Sequence, residues 1–257
     1  MSIIPVEPSL SYKYPTNDAS IKYLLPVKFK VWQFKLTYFA PFRKGCALAE
    51  IDYDSLRQLI LERGQSMRSL TALAGPPAAG KSHIANALCD EINARDPNSA
   101  VVLPMDGYHL DDALLDSLGF RDRKGAPHTF DIAGFTHMLR RVSRAGKTDI
   151  AVPVFDRTLE LSRAAARLIP GTARHILVEG NYLLLDQPGW RELADFFATT
   201  VMITAPRPLL ESRLMQRWQN LSPAQARKKC ESNDLPNADL VMSASIASEF
   251  TLVTGDP

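Results

Sequence analysis

The stretch GPPAAGKS, Gly75 to Ser82, constrains this chain more than any other eight residues in it. It fits the spacing G-x-x-x-x-G-K-[ST]. It follows the short apolar run RSLTALA and precedes KSHIANALCDEINARD, which reads as a helix. A strand that turns through a glycine-containing loop into a helix aims successive backbone N–H groups inward and adds the positive end of the helix. That geometry cradles phosphate. Gly75, Pro76, Pro77, Ala78, Ala79 and Gly80 would form the cradle, Lys81 would reach the β- and γ-phosphates of a nucleoside triphosphate, and Ser82 would ligate Mg²⁺. A chance match in such a chain is on the order of one in a hundred before that strand and helix context is required. The competing reading, a plain glycine turn, leaves an inward lysine with nothing to meet.

The same alternation continues from residue 52 onward. YDSLRQLILERG reads as a helix, AVVLPMDG as a strand, and IAGFTHMLRRVSRAG as a helix stopped by Gly146. ARHILVEG and TTVMITA read as buried strands with GWRELADFF a helix between them, RPLLESRLMQRWQN and SPAQARKKCESN as helices, and SEFTLVTG as a closing strand. Strand alternating with helix predicts an α/β fold with a mainly parallel central sheet covered on both faces. Residues 1–45 read differently, with early prolines, aromatics and lysines and little alanine, so they predict a loosely packed N-terminal extension with a short strand at Lys28–Phe39. Residues 46–257 are then one domain.

Composition narrows the partners. A formal net charge of +2 over 257 residues is too small for a nucleic-acid groove. Cys46, Cys89 and Cys230 are odd in number and widely spaced, which fits reduced thiols in a cytoplasmic protein. No apolar run approaches the roughly eighteen residues of a membrane span. The expected partner is a small molecule, with neither nucleic acid nor membrane.

A phosphate loop does not name a reaction. Ligands of an open parallel sheet gather beyond the carboxyl ends of its strands, where VVLPMD ends in Asp106 and HILVE ends in Glu179. Phosphoryl transfer to an alcohol needs a carboxylate that orients the hydroxyl and takes its proton, and a hold on Mg²⁺. Asp106 is assigned the first task and Glu179 the second; a strand-end carboxylate that merely caps the next turn is the alternative for each. A GTPase would show a base-reading Asn-Lys-x-Asp segment after a later strand, and VMITAPRP offers none.

The order GPPAAGKS, PMDGYH, RKGAPHTFD, VPVFDRTLE, ILVEGNYLLL, SRLMQRW and NDLPNADLV resembles the superfamily of phosphoribulokinase, uridine kinase and bacterial pantothenate kinase, over roughly residues 50 to 255. Within it the chain looks most like bacterial nucleoside/nucleotide kinase-like proteins described as fructose-transport kinases. The resemblance implies a three-layer P-loop NTPase fold with a helical lid, use of ATP and Mg²⁺, and an alcohol-group phosphotransferase acting on a small metabolite such as a nucleoside, a pantothenate-like compound or a sugar. It puts the catalytic base on Asp106 and the strand-end glutamate on Glu179. It places Tyr108, His109, Lys124, His128 and Asp131 around the acceptor, with Phe155, Asp156 and Arg157 lining the same pocket. Arg213 and Arg217 would close over the transferring phosphate, and being four apart they share a helix face. Asn233 is carried over as a nucleotide-side residue, although facing the base and facing the acceptor both stay open. Homodimers are common among such relatives.

The chain also departs from the pattern. Ala78 stands where many small-molecule kinases have glycine but where uridine and pantothenate kinases often carry alanine, so this change favours the resemblance. His83 replaces a common serine or threonine at the helix start near the phosphates. The acceptor segment lacks the aromatic and histidine signature of uridine kinases, which speaks against uridine. His109 fits either contact with an acceptor hydroxyl or a structural role. The rival to a kinase is a P-loop ATPase or nucleotide-dependent switch without a small acceptor.

Overall fold

A computed structural model of the protein describes residues 49–144 and 146–255. The extension expected over residues 1–45, with its strand, lies outside the described residues. The chain runs through β1 (Ala49–Glu50), α1 (Tyr53–Arg63), β2 (Ser69–Ala74), α2 (Lys81–Arg95), β3 (Ala100–Pro104), α3 (Asp112–Leu118) and α4 (Ile132–Arg144). It continues through β4 (Ile150–Asp156), β5 (Leu161–Ile169), β6 (His175–Gly180), β7 (Thr199–Thr204), α5 (Arg207–Arg217), α6 (Pro223–Lys229), α7 (Leu235–Ala244) and β8 (Phe250–Val253).

Six strands form one sheet in the order β1-β8-β7-β2-β6-β3, parallel throughout. The central strands β2 and β6 are buried from end to end because both faces are covered. Side chains still alternate between the two sides. Leu70, Ala72 and Ala74 of β2 and Ile176 and Val178 of β6 face a core with Phe135, Leu139, Tyr182 and Trp190. Leu73 of β2 and Leu177 of β6 face the opposite core, with Leu56, Ile60, Leu88 and Ile92 of α1 and α2. The three layers expected from the sequence are therefore present.

Some elements differ from the expectation. GWRELADFF forms tight 3-10 turns at Arg191–Phe196 instead of an α-helix. The segment is short, as 3-10 runs are, and it buries Leu193 and Ala194. β4 and β5 form a separate antiparallel hairpin that the sequence did not reveal. NDLPNADLV, for which no helix was predicted, carries the end of a π-turn at Cys230–Asp234 and the start of α7. The helical run is unbroken from α6 through this π-turn into α7, and Pro236, which cannot donate to the preceding turn, sits just past the π-turn.

Register sets the site. Glu179 of β6 pairs with Leu73 of β2 on one side and Pro104 of β3 on the other. The loop after β2 and the turn after β3 therefore flank it. Among the described residues no helix is long and apolar enough to cross a membrane.

Candidate active site

The loop from Gly75 to Gly80 is wound as the motif requires. Gly75 has φ 154° and lies so close to β7 that a Cβ would collide with the Ile203 carbonyl. Ala78 has φ 65° and Gly80 φ 90°, so the chain reverses hand before α2 begins at Lys81. Left-handed residues beside right-handed ones turn N–H groups to one side, the concave form that receives anions. Arg213 of α5 crosses to this loop, reaching the Ala78 carbonyl at 3.4 Å and the Gly255 carbonyl at 2.7 Å.

Lys81 is 7% exposed and its ammonium donates to the Pro76 carbonyl at 2.8 Å. No carboxylate among the described residues forms an ion pair with it within 4.0 Å. Burial pushes its pKa down to about 8, against the pull of Glu179 and Asp106. Glu179, also buried, is pushed up to about 7 by burial and by the Asp106 charge, while Lys81 and the Ser82 hydroxyl favour its ionised form. A buried cation satisfied only by a main-chain oxygen fits an anion above it. The Glu179 carboxyl beside the Ser82 hydroxyl forms the oxygen donor pair that a hard divalent cation takes. Among the described residues no three His, Cys, Asp or Glu side chains gather into a metal cluster, so a cation here would draw its other ligands from phosphate oxygens and water.

Asp106 lies on the 3-10 turn Met105–Tyr108 that follows β3. One carboxylate oxygen accepts from Arg157 Nη2 at 3.0 Å, and the other is 3.8 Å from His109 Nε2. His109 is sandwiched by aromatic rings, with centroids 4.1 Å from Phe130 and 4.8 Å from Phe155. Burial drives its pKa down to about 4, so it is neutral at pH 7, and its Nδ1 has no hydrogen-bond partner.

These groups line one cleft of about 1110 Å³. Pro77, Ala78, Gly80, Lys81, Ser82 and His83 of the loop and helix start line it together with Asp106, His109, Phe155, Arg157, Glu179, Arg213, Arg217 and Asn233. The volume exceeds the usual range for a single small ligand.

Several expected contacts are not made. Tyr108 turns into the core, its ring 4.8 Å from Phe135, because three residues per turn put Asp106 and His109 on one face of the 3-10 turn and Tyr108 on another. Asp131 accepts from the Gly134 N–H at 2.8 Å, holding the first turn of α4, and is not in the cleft. His128 is exposed with its ring against Phe120. Asp156 accepts from Thr158 N and Leu159 N, closing the hairpin turn. Lys124 lines the cleft, but its ammonium is taken by Asp112 at 2.6 Å, the Glu160 carbonyl at 2.9 Å and the Glu160 carboxylate at 3.5 Å. Asn233 donates to the Lys124 carbonyl at 2.8 Å, on the Asp106 side of the cleft, and pairs with Asn237.

The sequence reading missed Asn181 and Arg123, both in the cleft wall. Asn181 directly follows the Glu179-Gly180 strand end, a position that would have identified it. It also missed Trp218, whose indole N–H donates to the buried Asp234 carboxylate at 2.6 Å with Lys229 over its ring at 3.9 Å. No local spacing marks that pair.

No protein-family model matches the chain. It is 34% identical over 184 residues to the uncharacterised protein YggC of Escherichia coli K12, spanning 69% of this chain and 74% of that one. It is 25% identical over 210 residues to a candidate uridine kinase, C227.14, of Schizosaccharomyces pombe, spanning 78% and 89%. Among solved structures, a candidate fructose transport system kinase from Silicibacter sp. TM1040 superposes with a TM-score of 0.71 at 37% identity, covering 78% of this chain and 98% of that one. With that identity along nearly the whole of a solved relative, and with a phosphate loop wound at the end of a central parallel strand, the chain belongs to the P-loop kinases.

Proposed function

We propose that the chain is an ATP-dependent kinase that transfers the γ-phosphoryl group to a hydroxyl of a small metabolite, with residues 46–257 as its kinase domain. The observation that carries the reading is Lys81, buried on the Pro76 carbonyl without a carboxylate partner and sharing one cleft with Asp106.

The loop amides and Lys81 hold the β- and γ-phosphates, and Arg213 and Arg217 meet charge that spreads over the transferring group. Ser82 and Glu179 would hold Mg²⁺, which supplies charge neutralisation between the phosphates. Asp106 accepts a hydrogen bond from the acceptor hydroxyl and aims its oxygen at the γ-phosphorus. As the new P–O bond forms, the bond to the β–γ bridging oxygen breaks, ADP leaves, and the hydroxyl proton passes to Asp106. Arg157, already on Asp106, is placed to follow the phosphoryl group as the pair opens.

An ATPase or switch needs no room past its carboxylate. Here the wall continues beyond Asp106 with Phe130, Phe155, Arg123 and Gly125. ADP release measured over a panel of hydroxyl acceptors tests the reading. Asp106→Asn should lower acceptor-dependent transfer by about 10²–10⁴-fold while ATP binding is retained. Hydrolysis that ignores every acceptor would favour the switch.

A further inference from the structure

Away from the cleft, the last two turns of α4 and the start of β4 border a pocket of about 410 Å³ lined by His137, Arg140, Arg141, Arg144, Thr148 and Ile150. Positions 137, 140, 141 and 144 lie three, four or seven apart and so share one helix face. Among the described residues no carboxylate comes within 4.0 Å of Arg140, Arg141 or Arg144, and none of their guanidinium groups donates a hydrogen bond to protein. Other arginines of this chain are placed differently: Arg121, Arg157, Arg174 and Arg207 each meet a carboxylate at 3.0 Å or less.

Like charges at this spacing repel along a helix. The ordinary reason to tolerate them is a helix C-terminus whose carbonyls attract a cation. Here Arg68, just before β2, already serves that end: it donates to the Val142 carbonyl at 3.2 Å and to the carbonyls of Pro170, Gly171 and Ala173. Asp149, the acid between α4 and β4, accepts from the Gly171 N–H at 2.8 Å. The positive face of α4 therefore lacks a counterpart within the described residues.

A guanidinium offers paired N–H donors that match phosphate oxygens, and Thr148 adds a hydroxyl to the same lining. The volume suits a small ligand. No Phe, Tyr or Trp ring lines the pocket for a nucleic-acid base to stack on. Three permanent positive charges exceed the roughly −1.5 to −2 of one phosphate monoester, so the match is to a ligand with more than one such group.

Both elements that border the pocket end in the cleft. Phe130, two residues before α4, lines the cleft, as do Phe155 of β4 and Arg157 just beyond it. From Ile132 to Arg144 the helix rises about 18 Å, so pocket and cleft are separate places. Phe135 of α4 packs at 4.8 Å on Tyr108, which belongs to the turn that carries Asp106.

We propose that this pocket is a regulatory anion site, separate from the phosphate loop, which binds a small diffusible metabolite bearing two or more phosphate groups and acts through α4 and β4 on the acceptor end of the cleft.

The test uses the full chain. Inorganic pyrophosphate and fructose 1,6-bisphosphate are titrated calorimetrically into protein saturated with ADP, which fills the phosphate loop, and each should show one further site. Arg140→Gln combined with Arg144→Gln should weaken that site at least about tenfold through lost charge-assisted contacts, while an unchanged thermal melt shows that the variant folds. Amide exchange over residues 137–150 should slow on binding in the parent and not in the variant. With Mg²⁺ and ATP, fructose 1,6-bisphosphate should change the acceptor KM at least about twofold and the ATP KM less, and the variant should not respond. Binding that ADP abolishes, or that the double variant retains in full, overturns the site. Tighter binding to phosphatidylserine vesicles or to a single-stranded oligonucleotide than to either phosphate compound overturns it as a metabolite site. Binding with unchanged kinetics overturns the regulatory role. Only the kinetic arm rests on the kinase reading, so a chain that binds the bisphosphate at these arginines yet transfers phosphate to no acceptor brings down that reading and upholds the site.

Discussion

Arg157 Nη2 lies 3.0 Å from Asp106 Oδ2, so the guanidinium rests on the carboxylate proposed to take the acceptor proton. The arginine comes from the hairpin side, one residue past β4, and the aspartate from the turn after β3, so the pair ties the hairpin to the main sheet across the acceptor entrance. Arg157→Ala is expected to lower kcat about a hundredfold with little change in ATP affinity, since the lost donor acts on developing charge. Steady-state kinetics beside nucleotide titration checks this; a change confined to ATP affinity would place Arg157 on the nucleotide instead.

Gly75→Ala is expected to destabilise the protein by about 1–3 kcal/mol or more, because its Cβ would push directly into the Ile203 carbonyl of β7 and main chain cannot rotate away. Gly80→Ala meets nothing nearer than the Thr254 methyl at 3.7 Å, so only the cost of its φ of 90° remains, about 1 kcal/mol. Urea unfolding of both variants distinguishes collision from backbone strain.

His109 sets a pH dependence. Its folded pKa of about 4 lies below the ordinary 6.5, so the unfolded chain binds the proton more readily. The stability that this neutral ring contributes is complete above 6.5 and is lost as pH falls through 4. The full effect is about 3 kcal/mol. His109→Phe keeps an aromatic in the stack and cannot titrate, so its Tm should fall less than that of the parent between pH 7 and pH 4.

Trp218→Phe is expected to cost about 1–3 kcal/mol, because the buried Asp234 carboxylate loses its indole donor and Phe cannot replace it. Burial already holds the Asp234 pKa above the ordinary carboxylate value, and removal of the donor should raise it further. Thermal melts as a function of pH read both effects.

The parts of this molecule that were legible in its sequence are those whose cause is local. GPPAAGKS fixes its own turn, and Asp106 and Glu179 stand at the ends of apolar runs that only doubly covered strands tolerate. β5 was not legible because LSRAAARLI reads as good helix former; its middle is exposed, and only pairing with β4 makes it a strand. What occupies the Lys124 ammonium was not legible for a similar reason. The segment around it matches an acceptor motif, but Asp112 and Glu160, which occupy its ammonium, come from α3 and the hairpin turn, and no spacing announces them. Asp131 shows the converse: a residue at a helix start caps that start whatever its motif.

The β4–β5 hairpin forms no ladder with the six-stranded sheet, while Phe155 and Arg157 sit at its tip. Beyond Ile150, Val152 and Ile169, which pack in the core at its base, its tip is thus released from the packing rules that bind β2, β6 and β7. A lineage can exchange that ribbon for another and meet a new alcohol while the machinery that grips the nucleotide stays as it was.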